Sequence, residues 1–211
     1  MISRRPYAQF VKTLSQLQDQ GRRISRIYSK ENPCEVDIEL MLEKYGFHID
    51  AVPLADFGVE AWSTPSKRVV YIDIDLINRE SRTRRYRMTL AEEFAHSILH
   101  RKIYDGVENF DQWLAKWSQI PDDVYENLDR NAKELAGIIL MPEETFLKRL
   151  VMSRDQCLRA LGGTKSPAGD QQSRIITDVT RKLMDDFNIN EEPCRRRISR
   201  LTYPNRFFDI R

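Results

Sequence analysis

Apolar and polar positions divide the chain into helices, then three short strands, then helices again. Residues 7–30 set Phe10, Leu14, Leu17, Ile24 and Ile27 among Gln, Lys and Arg. This thin stripe at helical spacing predicts a polar amphipathic helix, broken near Gly21, suited to docking on the body or on a partner. A second helix opens at Pro33, carries Val36, Ile38, Leu40, Met41, Leu42 and Tyr45, and closes at Gly46. The period then drops to two. Residues 47–53, 60–64 and 68–74 read as strands, the last two joined by a Thr-Pro-Ser-Lys turn. The third is densest in β-branched residues and belongs at the centre of a small antiparallel sheet. His48 falls on the polar face of the first strand and reads as an exposed residue. Residues 78–84 form a polar connection into a helix around 87–101. After Tyr104 and the segment from Trp113 to Trp117 comes a long helix, 124–140, with Asp122 and Asp123 at its start. Its small residues Ala132, Ala136 and Gly137 admit a close neighbour. Pro142 ends it and opens a helix over 143–152. Further helices are expected at 175–187 and, short and basic, at 194–201; the tail from Thr202 carries Tyr203, Phe207 and Phe208 and docks on the body. The fold class is α+β: a small antiparallel sheet over 47–73 packed by the helices near 87–101 and 124–141. Three segments follow, an amphipathic helix (1–32), a central domain (33–160) and a C-terminal helix–turn–helix-like segment with its tail (161–211).

Composition narrows the function classes. With 211 residues, 41% hydrophobic and 31% charged, the chain can bury a substantial core. No apolar run approaches the ~20 residues of a membrane span, and no signal-peptide core opens the sequence. Cys34, Cys157 and Cys194 are scattered, so neither a disulfide framework nor a zinc ribbon is implied, and a reducing, cytoplasmic setting is expected. The net charge of +2 selects no partner. The glycine-containing stretch 162–169 lacks phosphate-loop spacing and follows no strand.

Candidate chemistry gathers on the helix Arg87-Met-Thr-Leu-Ala-Glu92-Glu93-Phe-Ala-His96-Ser-Ile-Leu-His100. Residues four apart share a helix face, so Glu92, His96 and His100 form one stripe, with Glu93 about 100° around the axis. A zinc helix of the form His-Glu-x-x-His places two imidazole ligands one turn apart and uses the glutamate as general base. Here the pattern is Glu-Glu-x-x-His, with base and second ligand in place and a carboxylate as the first.

This helix and the later stretch Asn131-Ala-Lys-Glu-Leu-Ala-Gly-Ile-Ile-Leu-Met-Pro142 resemble the ImmA/IrrE family of zinc-dependent metallopeptidases. The family pattern runs Arg-Phe-Thr-Leu-Ala-His-Glu-x-x-His-x-x-Leu-His and then Glu-Ala-Asn-x-Phe-Ala-x-x-Leu-Leu-Met-Pro. The resemblance spans about residues 33–201 and implies a zincin-like helical core. It implies Glu93 as general base and His96 as ligand, with Glu92 at the first ligand position. It also implies an acidic third ligand on the second helix, at position 131, which is Asn131 here. Asp129 and Glu134 flank that position, and Asp129 is the chosen substitute. His96 with His100 is an alternative ligand pair. A site of Glu92, His96 and Asp129 is oxygen-rich and favours harder ions such as manganese over zinc; the other reading is no metal and a pseudopeptidase. The implied function is cleavage or inactivation of a helix–turn–helix transcriptional repressor, in a phage or mobile-element setting. The alternatives are a metal-free protein that binds a repressor or antitoxin without cutting, and a DNA-binding regulator. For the last, Arg195, Arg196, Arg197 and Arg200 could meet phosphates, although such runs more commonly form solvated faces paired to nearby acids such as Glu191 and Glu192.

Overall fold

The computed structural model describes residues 5–28, 34–79, 83–162, 167–202 and 207–209. Arg82, Pro33, Tyr203 and residues 163–166 of the glycine-containing loop lie outside them. The N-terminal stripe forms a 3-10 turn at Arg5–Phe10 and then α1 (Leu14–Tyr28). The break falls before α1 rather than at Gly21. Thr13 and Gln16 form a reciprocal cap there: the Gln16 amide N–H donates to Thr13 Oγ1 (3.3 Å), and the Thr13 N–H donates to Gln16 Oε1 (2.9 Å). Gly21 sits inside the helix because α1 crosses α6 (Asp122–Leu140) so closely that a Cβ at 21 would stand 2.2 Å from Ile138 Cγ2. Leu17 and Ile24 are buried in the core, so the stripe docks on the body itself.

Helix α2 (Ile38–Lys44) is capped by Asp37, whose Oδ1 accepts the Leu40 N–H at 3.0 Å, and the chain turns at Gly46 with φ +76°. Strands β1 (His48–Val52), β2 (Ala61–Thr64) and β3 (Val69–Asp73) form one sheet in the order β1-β3-β2. The most β-branched strand is central, as its composition implies, and His48 is exposed. The sheet is mixed, not wholly antiparallel: β2 pairs antiparallel to β3, while β1 runs parallel to it from His48↔Val69 to Val52↔Asp73. The stretch 53–68 contains β2 itself and is long enough to carry the chain from one edge to the other, which a parallel pairing requires.

Asp73 ends the third strand and caps a short helix, α3 (Ile74–Asn78), which the sequence pattern did not predict and which stops where the expected polar connection begins. Then come α4 (Thr83–Leu99), α5 (Phe110–Trp117), α6, α7 (Glu143–Ala160), α8 (Gly169–Phe187) and α9 (Glu191–Thr202). α4 packs against α6, β2 and β3, which makes it the central helix of an α+β fold. Its Phe94 is fully buried with Tyr45 and Phe47 edge-on at 5.0 and 5.7 Å. α8 and α9 meet through Asn188 in the left-handed conformation (φ 49°), giving the helix–turn–helix-like pair.

Arg87, the last of the arginines that lead into α4, ties these parts together. Its buried guanidinium donates to the carbonyls of Val36 (2.9 Å) and Asn188 (3.2 Å) and pairs with Glu35 at 3.4 Å. Arg84 pairs with Asp185, and Arg85 with Glu60. Among the described residues no helix is long and apolar enough to cross a membrane.

Candidate active-site cleft

Between α4, α6, β2 and α5 opens a cleft of about 490 Å³. α4 supplies its floor with Thr89, Glu92, Glu93 and His96. β2 contributes Ser63, and α6 presents Tyr125, Asp129 and Lys133 from across. Those three α6 residues are spaced by four, so one helix stripe faces the cleft. Phe57, Trp113, Leu114 and Trp117 complete the mouth, with Trp113 stacked on Trp117 at 6.0 Å and Trp117 edge-on to Tyr125.

Glu93 is held in place from the sheet. Ser63 Oγ donates to its Oε2 at 2.9 Å, and Ser97 Oγ lies 3.2 Å from Ser63 Oγ. Burial pushes the Glu93 carboxyl up to about 7; the Ser63 bond opposes this, and the charges of Glu92 and Asp129 add to it. Burial likewise raises Glu92 to about 7, against the pull of Arg85 and Lys133. Both groups therefore titrate near neutrality, the range in which a carboxylate can take and return a proton.

His96 is pushed down to about 4 by burial, so it is neutral at physiological pH. Its Nδ1 lies 3.0 Å from Nδ1 of His100, whose charged form burial also disfavours. One Nδ1 must carry the proton and the other accept it. The contact orients the His96 ring and leaves Nε2 as its remaining nitrogen. His100 is fully buried behind His96 and does not line the cleft, so its role is to support that ring.

The second helix settles which of its polar groups faces the site. Asn131 lies two residues from Asp129, about 200° around the axis, and points to the N-terminal segment. The Lys12 N–H donates to its Oδ1 at 2.6 Å, and its Nδ2 donates to the Lys12 carbonyl at 3.1 Å. Position 131 is thus a structural clasp. Glu134 is buried on another face, 3.5 Å from Arg200. Asp129 is the α6 carboxylate in the cleft, and it pairs with Lys133 at 2.7 Å. Reasoning from sequence missed Lys133, Ser63 and Tyr125. The four-residue spacing of 125, 129 and 133 was the available signal for the α6 pair of Tyr125 and Lys133.

The C-terminal arginines are engaged within the fold. Arg195 pairs with Glu191 at 2.6 Å, Arg196 with Glu192, and Arg200 with Glu134. Arg197 is 2% exposed, its charge disfavoured by burial and pushed down to about 10, so its guanidinium is not presented to a phosphate backbone.

Glu93 and His96 on one helix, faced by the Asp129 carboxylate on a second helix beside a small sheet, form the arrangement expected of a metallopeptidase-type fold. Residues 43–157, more than half of the chain, match the family model described as the IrrE N-terminal-like domain, a peptidase family. The chain belongs to that family. No curated protein matches it.

The family is generally zinc-dependent, and the cleft departs from what zinc requires. A catalytic zinc takes three protein ligands, commonly imidazoles and a carboxylate. Here one imidazole faces the cleft, and Glu92 stands where the other belongs. The Asp129 carboxylate is already paired with an ammonium. Among the described residues no three His, Cys, Asp or Glu side chains are gathered so as to hold a metal ion. As arranged, the residues do not fit zinc.

Proposed function

We propose that this chain is a binding member of the family: its cleft captures a peptide segment of a helix–turn–helix repressor or antitoxin and inactivates that protein by sequestration rather than cutting. The observation that carries this reading is the mouth of the cleft. Phe57, Leu114 and Trp117 remain 59%, 39% and 38% exposed around a cavity of about 490 Å³. Exposed aromatic and aliphatic groups around a concave site are the usual mark of a surface that buries a partner's side chains. Glu92, Glu93 and Asp129 together with Arg85 and Lys133 offer charges of both signs for the polar parts of a peptide.

A hydrolytic reading has its own support in the held Glu93 and the neutral, oriented His96. In it Glu93 takes the proton of the attacking water and delivers it to the leaving amine. The test is to select peptides, tiled from helix–turn–helix regulators, on the immobilised chain and to measure their affinity by calorimetry. Binding that survives a chelator and weakens about tenfold or more in Trp117→Ala, as loss of an aromatic anchor does, supports capture. Cleavage of the selected peptide, abolished in Glu93→Gln, supports hydrolysis instead.

A further inference from the structure

We infer that Lys133 is a resident cation of the cleft: its ammonium, paired with Asp129, stands where a divalent metal would have to bind and keeps that metal out. The inference deepens the non-hydrolytic reading and rests on it in one respect, that the cleft works without metal. Four carboxylates line the cleft, those of Glu60, Glu92, Glu93 and Asp129, and two cations, Arg85 and Lys133. Arg85 is engaged by Glu60 at the outer edge, with Nε donating to Oε2 at 2.7 Å. Lys133 is the cation that α6 itself brings to the cleft, paired with Asp129 and acting with Arg85 on Glu92.

Its position makes it a competitor rather than a bystander. Asp129 and Lys133 are one turn apart on the same stripe of α6, with Nζ 2.7 Å from Oδ2. Coordinating a divalent ion would bring the Asp129 oxygen to about 2.0–2.2 Å from the metal. The ammonium already donates to that carboxylate, so an ion bound there would sit beside a like charge, a hydrogen bond's length from the same carboxylate. A protonated lysine has no lone pair and cannot join the ligand set. Metal therefore enters only if the ammonium leaves. The Lys133 stem lies on the cleft side of α6 with Asp129, so its charge stays inside the cavity.

The experiment is calorimetric titration of the full chain with zinc ion alone. It compares wild type, Lys133→Met, which keeps the stem and removes the charge, Lys133→Arg, which keeps a charge, Glu92→His, and the pair Glu92→His with Lys133→Met. Wild type and Lys133→Arg should give no saturable isotherm, and Lys133→Met should gain one. The double variant should bind roughly tenfold or more tightly than Glu92→His alone, the scale on which groups around a metal site change affinity. Zinc bound by wild type as tightly as by Lys133→Met overturns the inference, as does a double variant no tighter than Glu92→His. Lys133→Gln serves the same comparisons if the methionine form does not fold, as judged by circular dichroism. Failure of wild type to bind any selected peptide would defeat the binding reading and leave this metal comparison standing.

Discussion

Helices α4 and α6 line one cleft, yet they meet it in different ways. α4 brings groups whose positions are fixed from behind: Glu93 by Ser63, His96 by His100, and the helix itself by Arg87. α6 brings an ion pair that is partly open to solvent, with side-chain exposure of 26% for Asp129 and 37% for Lys133. The polar residue of α6 that holds the fold together, Asn131, faces the other way. In this fold the half of the cleft that carries Glu93 and His96 is built into the packing, whereas the α6 half is a surface on which charge can be exchanged at little structural cost.

The largest expected effect tests how firmly α4 is anchored. Arg87→Ala removes a buried guanidinium and leaves the Val36 and Asn188 carbonyls without their donor. It should cost on the order of 3 kcal/mol in urea unfolding. A loss under about 1 kcal/mol would show that α4 is not held this way.

Next is the clasp. Asn131→Ala breaks two hydrogen bonds to the Lys12 backbone and should cost about 2 kcal/mol. Asn131→Glu should destabilise comparably and gain no zinc affinity, because position 131 does not face the cleft. Zinc affinity created by Asn131→Glu alone would overturn the assignment of faces on α6.

The third expectation has a pH sign. Glu93 is raised to about 7 in the folded protein from the ordinary 4.5. The folded state therefore keeps its proton over a range in which the unfolded state has lost it. This group opposes folding increasingly as pH rises from about 4.5 to 7, and the penalty is full above that. Glu93→Gln should be more stable than wild type by roughly 1–2 kcal/mol at about pH 8, with the gap closing below about pH 4.5. Equal stability at both pH values would remove the burial account of Glu93. His96, lowered to about 4, has the complementary sign: its contribution is lost as pH falls through about 6.5 to 4.

The smallest effect belongs to the exposed pair. Asp129→Asn should change stability by less than about 0.5 kcal/mol, as for most partly exposed ion pairs. A large loss would mean that this face of α6 is tied into the fold just as α4 is.

Much of this arrangement was legible in the chain. The α4 motif, the central place of β3 and the α6 helix ending at Pro142 all follow from local patterns that tertiary packing reinforces. What escaped depended on residues far apart in sequence. Ser63 finds Glu93 from thirty residues away, and nothing in the short strand Ala61–Thr64 marks that hydroxyl. Parallel pairing of β1 to β3 is a choice of edge, which the alternation within each strand does not specify. Gly21 carried a misleading signal, because glycine in a helix pattern reads as a break unless the partner helix that needs the space is known. Position 131, where the resemblance implies an acidic ligand, turns instead to the Lys12 backbone. Alignment to a motif fixes spacing to the motif, whereas the helix stripe 125, 129, 133 fixes which side chains share a face.

Capture without cutting has a direct readout in the intact mass of a captured peptide. A selected peptide, incubated with wild-type chain and excess zinc and then recovered, should return at its original mass and still form the complex. Two fragments whose masses sum to the peptide plus one water, absent when Glu93→Gln replaces wild type, would show that the cleft cuts what it captures.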